Sequence, residues 1–392
     1  MKRPARILPV IIFSQFTGTS LWFASNAIIQ DLQLAWNLDT EALAYVTSAV
    51  QLGFICGTLL FAILVIADRF SPRRVFFFCS LAGALANIGL LLAPPELSAL
   101  LLLRFTTGFF LAGIYPVGMK IAAGWYRRGL GRALGYLVGA LVVGTAFPHL
   151  IRSIGAELPW EQVIAWVSIL ALAGGLAMLL AVPDGPHLSI GSAFDPHALR
   201  LVFRSRRFRA SAFGYFGHMW ELYTLWAFLP VLLLTYASSH DISLNVSFWS
   251  FAVIAAGFVG CAVGGIVSKR IGSPSVAAIQ LSVSGLCCLV SPFVFEAGPF
   301  LFLALLLLWG VTVVGDSPQF SAMNAAYAPR EYVGSALTIV NAIGFLITVF
   351  SIQIASAMLP LIGAQYIAWL LVPGPVIGLL VMSPLLGGEA DS

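Results

Sequence analysis

The sequence predicts an all-α membrane protein whose twelve transmembrane helices form two pseudo-symmetric bundles of six. Three observations support this fold class. Hydrophobic residues make up 60% of the 392 residues and charged residues only 9%, whereas soluble domains carry about 25% charged residues. Apolar runs long enough to cross a bilayer recur along the chain. Sequence features of the first half also reappear in the second half at a nearly constant offset.

The apolar runs are separated mostly by short polar gaps, which leave no room for a separate catalytic domain. Each run has enough residues to cross a hydrocarbon core about 30 Å thick as a helix. Numbered in chain order, the predicted spans 1 to 12 are 7–29, 43–66, 75–93, 98–124, 133–152, 161–182, 209–237, 247–268, 275–295, 299–326, 331–358 and 365–386.

A long polar stretch rich in Pro, Gly and Arg separates span 6 from span 7. It predicts an N-terminal six-helix bundle over residues 1–182, a cytoplasmic linker over 183–208 and a C-terminal six-helix bundle over 209–392. The halves also repeat each other. The clearest matches are Thr19-Ser20-Leu21-Trp22 with Tyr223-Thr224-Leu225-Trp226, offset by 204, and Gly108, Gly113 and Pro116 with Gly310, Gly315 and Pro318, offset by 202. Such a repeat is typical of membrane transporters.

The basic residues lie mainly in loops on one side of the predicted spans. The positive-inside rule therefore predicts that both termini are cytoplasmic. We interpret these residues as topology determinants and expect no nucleic-acid partner. Compact loops and the absence of a targeting sequence favour a bacterial inner membrane. The residues concerned are Lys2, Arg3, Arg6, Arg69, Arg73, Arg74, Arg127, Arg128, Arg132, Arg200, Arg204, Arg206, Arg207, Arg209, Lys269, Arg270 and Arg330.

Span 7 carries two ionisable residues, His218 and Glu221, deep inside an apolar stretch. At about 1.5 Å per residue, Glu221 lies roughly 16 Å from the basic end of the span, near mid-bilayer. A functional role is the default hypothesis for such residues. Helical spacing puts them on one face with Gly214, Gly217 and Thr224, and we expect this face to line a cavity. We interpret His218 as a hydrogen-bond partner or proton relay for Glu221; a polar clasp between helices is the alternative.

Span 10 also contains a buried acid, Asp316, within Gly315-Asp316-Ser317-Pro318-Gln319. Asp316 shares a helical face with Gln319, while Pro318 would free backbone carbonyls nearby. In span 4, Arg104 shares a face with Tyr115. We expect Arg104 to bind an anionic group or to influence a nearby carboxylate; snorkelling to the interface is the alternative.

Three further basic or titratable residues lie near the ends of spans. Lys120 lies on the opposite side of span 4 from Arg104, and we interpret it as a snorkelling anchor. His149 and Arg152 are three residues apart at the outer end of span 5. They form either an access point for anions or a solvated rim, and we expect the rim.

The loop after span 2, Ala67-Asp68-Arg69-Phe70-Ser71-Pro72-Arg73-Arg74, resembles the signature between helices 2 and 3 of the major facilitator superfamily. Leu64 replaces its first glycine and Ser71-Pro72 replaces Gly-Arg. The second-half copy, Gly265 to Gly272, keeps both glycines but has Lys269 in the acidic position. Arg104-Phe105-Thr106-Thr107-Gly108 resembles the helix 4 signature of the same superfamily.

The resemblance implies a fold in which spans 1, 4, 7 and 10 line a central cavity, and a charge latch that holds one face of the transporter closed. The latch residues would be Asp68, Arg69, Arg73, Arg74 and Arg270. The substrate-binding candidates are Arg104, Tyr115, Trp220, Thr224, Gln319, Thr17 and Asn26. The proton-coupling candidates are Glu221, Asp316 and His218.

These observations predict a secondary active transporter that moves a small anionic or amphipathic organic solute by alternating access, coupled to protons. The proton gradient is the energy source, and we expect no cofactor, no metal, no enzymatic activity and a monomer in the bilayer. A sensor that binds solute without flux is one alternative. A proton-coupled efflux pump for drugs or metabolites is another, although span 5 only partly matches the antiporter signature, with Pro148-His149 replacing Gly-Pro.

Overall fold

The computed structural model describes residues 4–126, 130–154, 158–188, 195 and 198–387. Every regular element in these ranges is a helix, which confirms the predicted all-α class. Eleven helical stretches of the described residues are long and apolar enough to cross a membrane, and Ile7–Thr19 is a shorter apolar helix. The chain forms two compact units, Met1–Gly191 and Ser192–Ser392.

Within the described ranges each unit contains nine α-helices, because several predicted spans are built from two consecutive helices. The first unit contains α1 (Ile7–Thr19), α2 (Ile29–Trp36), α3 (Ala42–Ile63), α4 (Ile66–Arg69), α5 (Pro72–Ile88), α6 (Leu97–Leu111), α7 (Tyr115–Trp125), α8 (Leu130–Ile154) and α9 (Trp160–Ala181). The second contains α10 (Ala198–Val202), α11 (Arg206–Ser239), α12 (Val246–Ile271), α13 (Ser273–Phe295), α14 (Pro299–Gly315), α15 (Ser317–Tyr327), α16 (Val333–Ile362), α17 (Ile367–Leu371) and α18 (Pro373–Met382).

The first predicted span is interrupted, which is why eleven full-length candidates are found instead of twelve. Helix α1 ends at Thr19, and the chain then turns before a short 3₁₀ segment, Asn26–Ile28. The hydroxyl of Thr19 donates to Gln15 O (2.8 Å), and that of Ser20 donates to Thr17 O (2.6 Å). Hydroxyl bonds to carbonyls of the preceding turn compete with the helix ladder and bend helices.

Spans 4 and 10 are broken at equivalent places. Helix α6 ends at Leu111 and α7 has Pro116 at its second residue, while α14 ends at Gly315 and α15 has Pro318 at its second residue. Proline has no N–H to donate and so begins a new helix readily. The break in the second unit places Asp316 at the junction of two helices.

The internal repeat extends to the packing within each unit. An added Cβ on Gly57 of α3 would collide with the carbonyl oxygen of Phe109 in α6. Its counterpart Gly260 of α12 would meet the carbonyl oxygen of Val311 in α14 in the same way. Small residues let membrane helices approach closely. The two units therefore use the same glycine contacts to join their second and fourth spans.

The two ends of the predicted linker belong to different units. Its start packs on the first unit, because Trp125 Nε1 donates to Pro183 O (2.9 Å) and His187 N donates to Gly124 O (2.9 Å). Its later part contacts the second unit, where Asp195 N donates to Ser335 Oγ (3.0 Å). Five of the predicted topology determinants lie outside the described residues: Lys2, Arg3, Arg127, Arg128 and the side chain of Arg132.

Candidate functional site

The second unit contains a buried pair of opposite potential charge. His218 of α11 faces Asp316 at the α14 to α15 junction, with Nδ1 2.8 Å from Oδ1, and each side chain is 1% exposed. The second ring nitrogen of His218, Nε2, has no hydrogen-bond partner among the described residues, whereas the backbone N–H groups of Asp316 and Ser317 contact the Asp316 carboxylate. Buried polar atoms are nearly always paired, so an incomplete buried pair calls for a functional explanation.

Glu221 lies one turn further along α11 but does not contact His218. Its Oε1 accepts hydrogen bonds from Trp309 Nε1 of α14 (2.6 Å), from Cys288 Sγ of α13 (3.2 Å) and from Ser284 Oγ of α13. The predicted hydrogen bond between His218 and Glu221 is therefore wrong. The two side chains point to different neighbours, because residues three apart on a helix differ by about 60° in direction.

The predicted cavity-lining face of α11 is packed against other helices of the same unit. Thr224 Oγ1 is 2.7 Å from Ser351 Oγ of α16, and Trp220 Nε1 donates to Leu370 O of α17 (2.9 Å). Gly217 lies against the backbone of Gly374 in α18. Two predicted substrate-binding residues, Trp220 and Thr224, thus make interhelical bonds. Gln319 is buried in the first turn of α15, beside Asp316.

A small, partly open cavity lies in the second unit next to this cluster. Its walls are apolar except at Thr224 and Trp309. Because Trp309 Nε1 also donates to Glu221, the indole ring separates the cavity from the carboxylate. An apolar solute group placed in the cavity would contact the ring that holds Glu221.

In the first unit, the buried cation predicted to bind an anion has a different role. Arg104 is 1% exposed. Its guanidinium donates to Leu21 O (2.9 Å), Trp22 O (2.6 Å) and Asn87 Oδ1 (3.2 Å). The first two carbonyls belong to the turn that interrupts span 1. Arg104 thus stabilises the non-helical backbone of that turn, while its Nε has no hydrogen-bond partner among the described residues.

Polar side chains of the turn also bind α3. Trp22 Nε1 donates to Gln51 Oε1 (3.3 Å), and Asn26 Nδ2 donates to Thr47 Oγ1 (2.7 Å). Thr17, another predicted substrate-binding residue, donates back to Phe13 O and packs against Gly174 of α9. The structure therefore places Thr17 in a helix contact.

Two of the predicted latch residues, Asp68 and Arg73, have polar partners outside the predicted set. Asp68 forms an ion pair with Lys120 of α7, so interpreting Lys120 as only a snorkelling anchor was wrong. Arg73 Nη1 donates to Leu179 O (3.2 Å), and its Nε lies 4.0 Å from Asp184. Arg69, Arg74 and Arg270 are exposed, and Tyr115 is half-buried at the start of α7.

At the predicted outer end of the first unit, Arg152 is part of an ion pair and not a freely solvated rim. Its Nη2 lies 2.8 Å from Asp31 Oδ1, and it also donates to Leu158 O. Partial burial raises the pKa of Asp31, with an opposing effect from Arg152 and a smaller raising effect from Glu161. His149, one turn before Arg152, is buried.

Two helical units with repeated packing, candidate membrane spans and buried ionisable pairs define a polytopic membrane transporter. The sequence model of the Major Facilitator Superfamily matches residues 10–315. The chain belongs to this superfamily, as the loop after span 2 and the helix 4 motif predicted.

Individual relatives agree with this assignment. An uncharacterised MFS-type transporter of Enterobacter sp. (strain 638) is 26% identical over 348 residues, covering 84% of this chain and 86% of that protein. A putative niacin/nicotinamide transporter of Bacillus subtilis is 28% identical over 161 residues, covering 41% of this chain and 39% of that protein. The crystal structure of a proton:xylose symporter aligns with a TM-score of 0.75 at 13% identity, covering 98% of this chain and 97% of that one.

Proposed function

We propose that the protein is a secondary transporter that moves a small organic solute by alternating access and couples this movement to protons at the His218 and Asp316 pair. The observation that carries the proposal is the incomplete buried ion pair at a helix junction. Imidazole and carboxylate can each bind a proton, so one added proton changes the net charge of such a pair by one unit. The pair is also attached to a helix break, where small backbone changes can alter its exposure.

Glu221 has a positioning role in this proposal. The donors on its Oε1 are an indole, a hydroxyl and a thiol, which keep a constant charge. It ties α11 to α13 and α14, whereas the His218 and Asp316 pair exchanges the proton. This proposal assigns the coupling role to Asp316 and the positioning role to Glu221.

The solute is proposed to be a small organic molecule. The Bacillus subtilis relative suggests nicotinate and nicotinamide as first compounds to test. We also propose that the protein resides as a monomer in a bacterial inner membrane with both termini cytoplasmic, on the basis of its basic loops. Fusions of a periplasmic reporter to either terminus would be active if this orientation were reversed.

The proposal is tested by flux into proteoliposomes that contain the full chain. A thermal-shift screen that begins with the two pyridine compounds selects the solute, and a pH gradient is then imposed. Asp316→Asn should lose gradient-driven accumulation while keeping exchange of labelled for unlabelled solute, because exchange needs no net proton movement. Thr235→Val, which removes a half-buried hydroxyl of α11 that donates to Val231 O, is a control for polar change in the same unit. Equal accumulation by wild type and Asp316→Asn contradicts the coupling role, and binding without any flux indicates a sensor.

A further inference from the structure

We infer that Asn26 Oδ1 and Gln51 Nε2 form a subsite for the solute at the turn after α1. The subsite would take an uncharged group that both donates and accepts a hydrogen bond, such as a carboxamide. The inference rests on the proposed transport function and narrows its substrate class. Both atoms are buried, with side chains 3% and 0% exposed, and neither has a hydrogen-bond partner among the described residues.

The chemical identity of these two atoms is fixed by their neighbours. Thr47 Oγ1 donates its only proton to Leu43 O (2.7 Å), so it must accept from Asn26, and the atom facing it is the amide nitrogen. Trp22 Nε1 can only donate, so the atom of Gln51 that faces it is the amide oxygen. Amide orientation is otherwise ambiguous, and these bonds settle it. Asn26 is left with a free acceptor and Gln51 with a free donor.

The two unpartnered atoms, Asn26 Oδ1 and Gln51 Nε2, belong to side chains that bond neighbouring positions of the same interface. Thr47 and Gln51 are four residues apart on α3, which places them on the same side of the helix and about 6 Å apart along its axis. Trp22 and Asn26 bind these positions from the turn. A carboxamide carries its N–H and its C=O on the same carbon. A single carboxamide could therefore donate to Asn26 Oδ1 and accept from Gln51 Nε2.

The charge of the surroundings favours a neutral group. A carboxylate would meet the carbonyl oxygen of Asn26, to which it cannot donate. The cation that contacts the turn, Arg104, is directed to the carbonyls of Leu21 and Trp22 and to Asn87. The two terminal nitrogens of Arg104 are therefore already occupied by neutral oxygens. The proposed subsite therefore favours an uncharged solute over the anionic solute that the sequence predicted.

Matched amide and acid pairs test the inference on the purified full chain. Benzamide with benzoate and propionamide with propionate are the probes, and thermal shift and titration calorimetry are the measurements. The amides should stabilise the wild type in a concentration-dependent way, and the acids should bind at least about tenfold more weakly. Acids that bind as tightly as the amides overturn the inference, and so does the absence of binding by both amides, which would mean that only water occupies the subsite.

Variants of Gln51 identify the site. Gln51→Glu keeps an oxygen for Trp22 and changes only the free donor, so amide affinity should fall about tenfold or more. Gln51→Met has similar volume and adds no buried charge, which covers the case in which the acid variant does not fold. Thr145→Val, which removes another unpartnered buried polar atom on α8, should leave the affinity unchanged. Unchanged affinity in Gln51→Met overturns the subsite.

The transport proposal and this inference fail in different ways. Benzamide affinity is therefore compared between wild type and the Gln51 variants, and gradient-driven accumulation between wild type and Asp316→Asn. If Gln51→Met has no effect on binding while Asp316→Asn still abolishes gradient-driven accumulation, the inference falls and the proposed function stands. If amide binding depends on Gln51 but no variant affects coupling to protons, the proposed function falls.

Discussion

The two units have the same packing plan but differ in their buried polar residues. In both, glycines of the second span meet backbone carbonyls of the fourth, at Gly57 and Phe109 in one unit and at Gly260 and Val311 in the other. The first unit buries Arg104, which donates to two backbone carbonyls and to Asn87, and it also buries His149. The second has His218, Asp316 and Glu221. The comparison indicates that duplication preserved the scaffold while the polar residues of each half acquired separate tasks.

The largest effect is expected from removing the buried arginine of the first unit. Arg104→Met would leave the carbonyls of Leu21 and Trp22 unpaired, at a cost of about 1–3 kcal/mol each. We predict a large loss of thermal stability in detergent, measured by scanning fluorimetry. Asp316→Asn in the second unit should lose far less, since its role is functional. Similar losses in both variants would remove the contrast between a structural and a functional buried charge.

Equivalent glycine substitutions test the shared scaffold. Gly57→Leu and Gly260→Leu each place side-chain atoms against a backbone carbonyl, and overpacking of this kind costs about 1–3 kcal/mol. Both should lower the melting temperature by comparable amounts. Gly265→Leu on α12 is the control, because nothing lies within 4 Å of an added Cβ there. Tolerance at one position but not at the other would show that the packing of the halves is not equivalent.

The ion pair of Asp68 and Lys120 belongs to the first unit alone and should show pairwise coupling. Lys120→Met and Asp68→Asn each break the same contact, so the double variant should be little worse than either single one. Contacting residues show coupling energies of about 0.5–3 kcal/mol. Unfolding and flux are measured on the wild type, the two single variants and the double variant, which together form a double-mutant cycle. Additive losses in either readout would mean that the residues act independently.

The smallest effect is expected at Asp31. Burial raises its pKa above the ordinary value of 3.8, so the folded state holds the proton more tightly than the unfolded chain does. This contribution to stability is fully present at pH values below 3.8, the ordinary pKa. It is lost as the pH rises from that value through the raised pKa of Asp31 in the folded state. Asp31→Asn should flatten this small decrease in a pH series of melting temperatures. A steeper decrease of the melting temperature in the variant would mean that Asp31 contributes to stability with the opposite pH dependence.

The sequence predicted the fold class, the two-fold repeat and the presence of buried acids, because apolar length, glycine spacing and charge are local properties. Partner choice was less predictable. Helical spacing placed His218 and Glu221 on one side of α11, but only the break at Pro318 brings Asp316 to His218. Likewise, the end of α1 depends on local hydroxyls and on Arg104, which is more than 80 residues away in sequence.

The central claim is that the second unit contains the group that gains and loses the proton. Infrared difference spectra of the full chain in lipid, recorded between mildly acidic and mildly alkaline buffer, detect protonated carboxyl groups directly and need no substrate. We predict a carboxyl band whose intensity changes with pH in the wild type. This band should persist in Glu221→Gln and disappear in Asp316→Asn. A band that persists in Asp316→Asn and disappears in Glu221→Gln would contradict it.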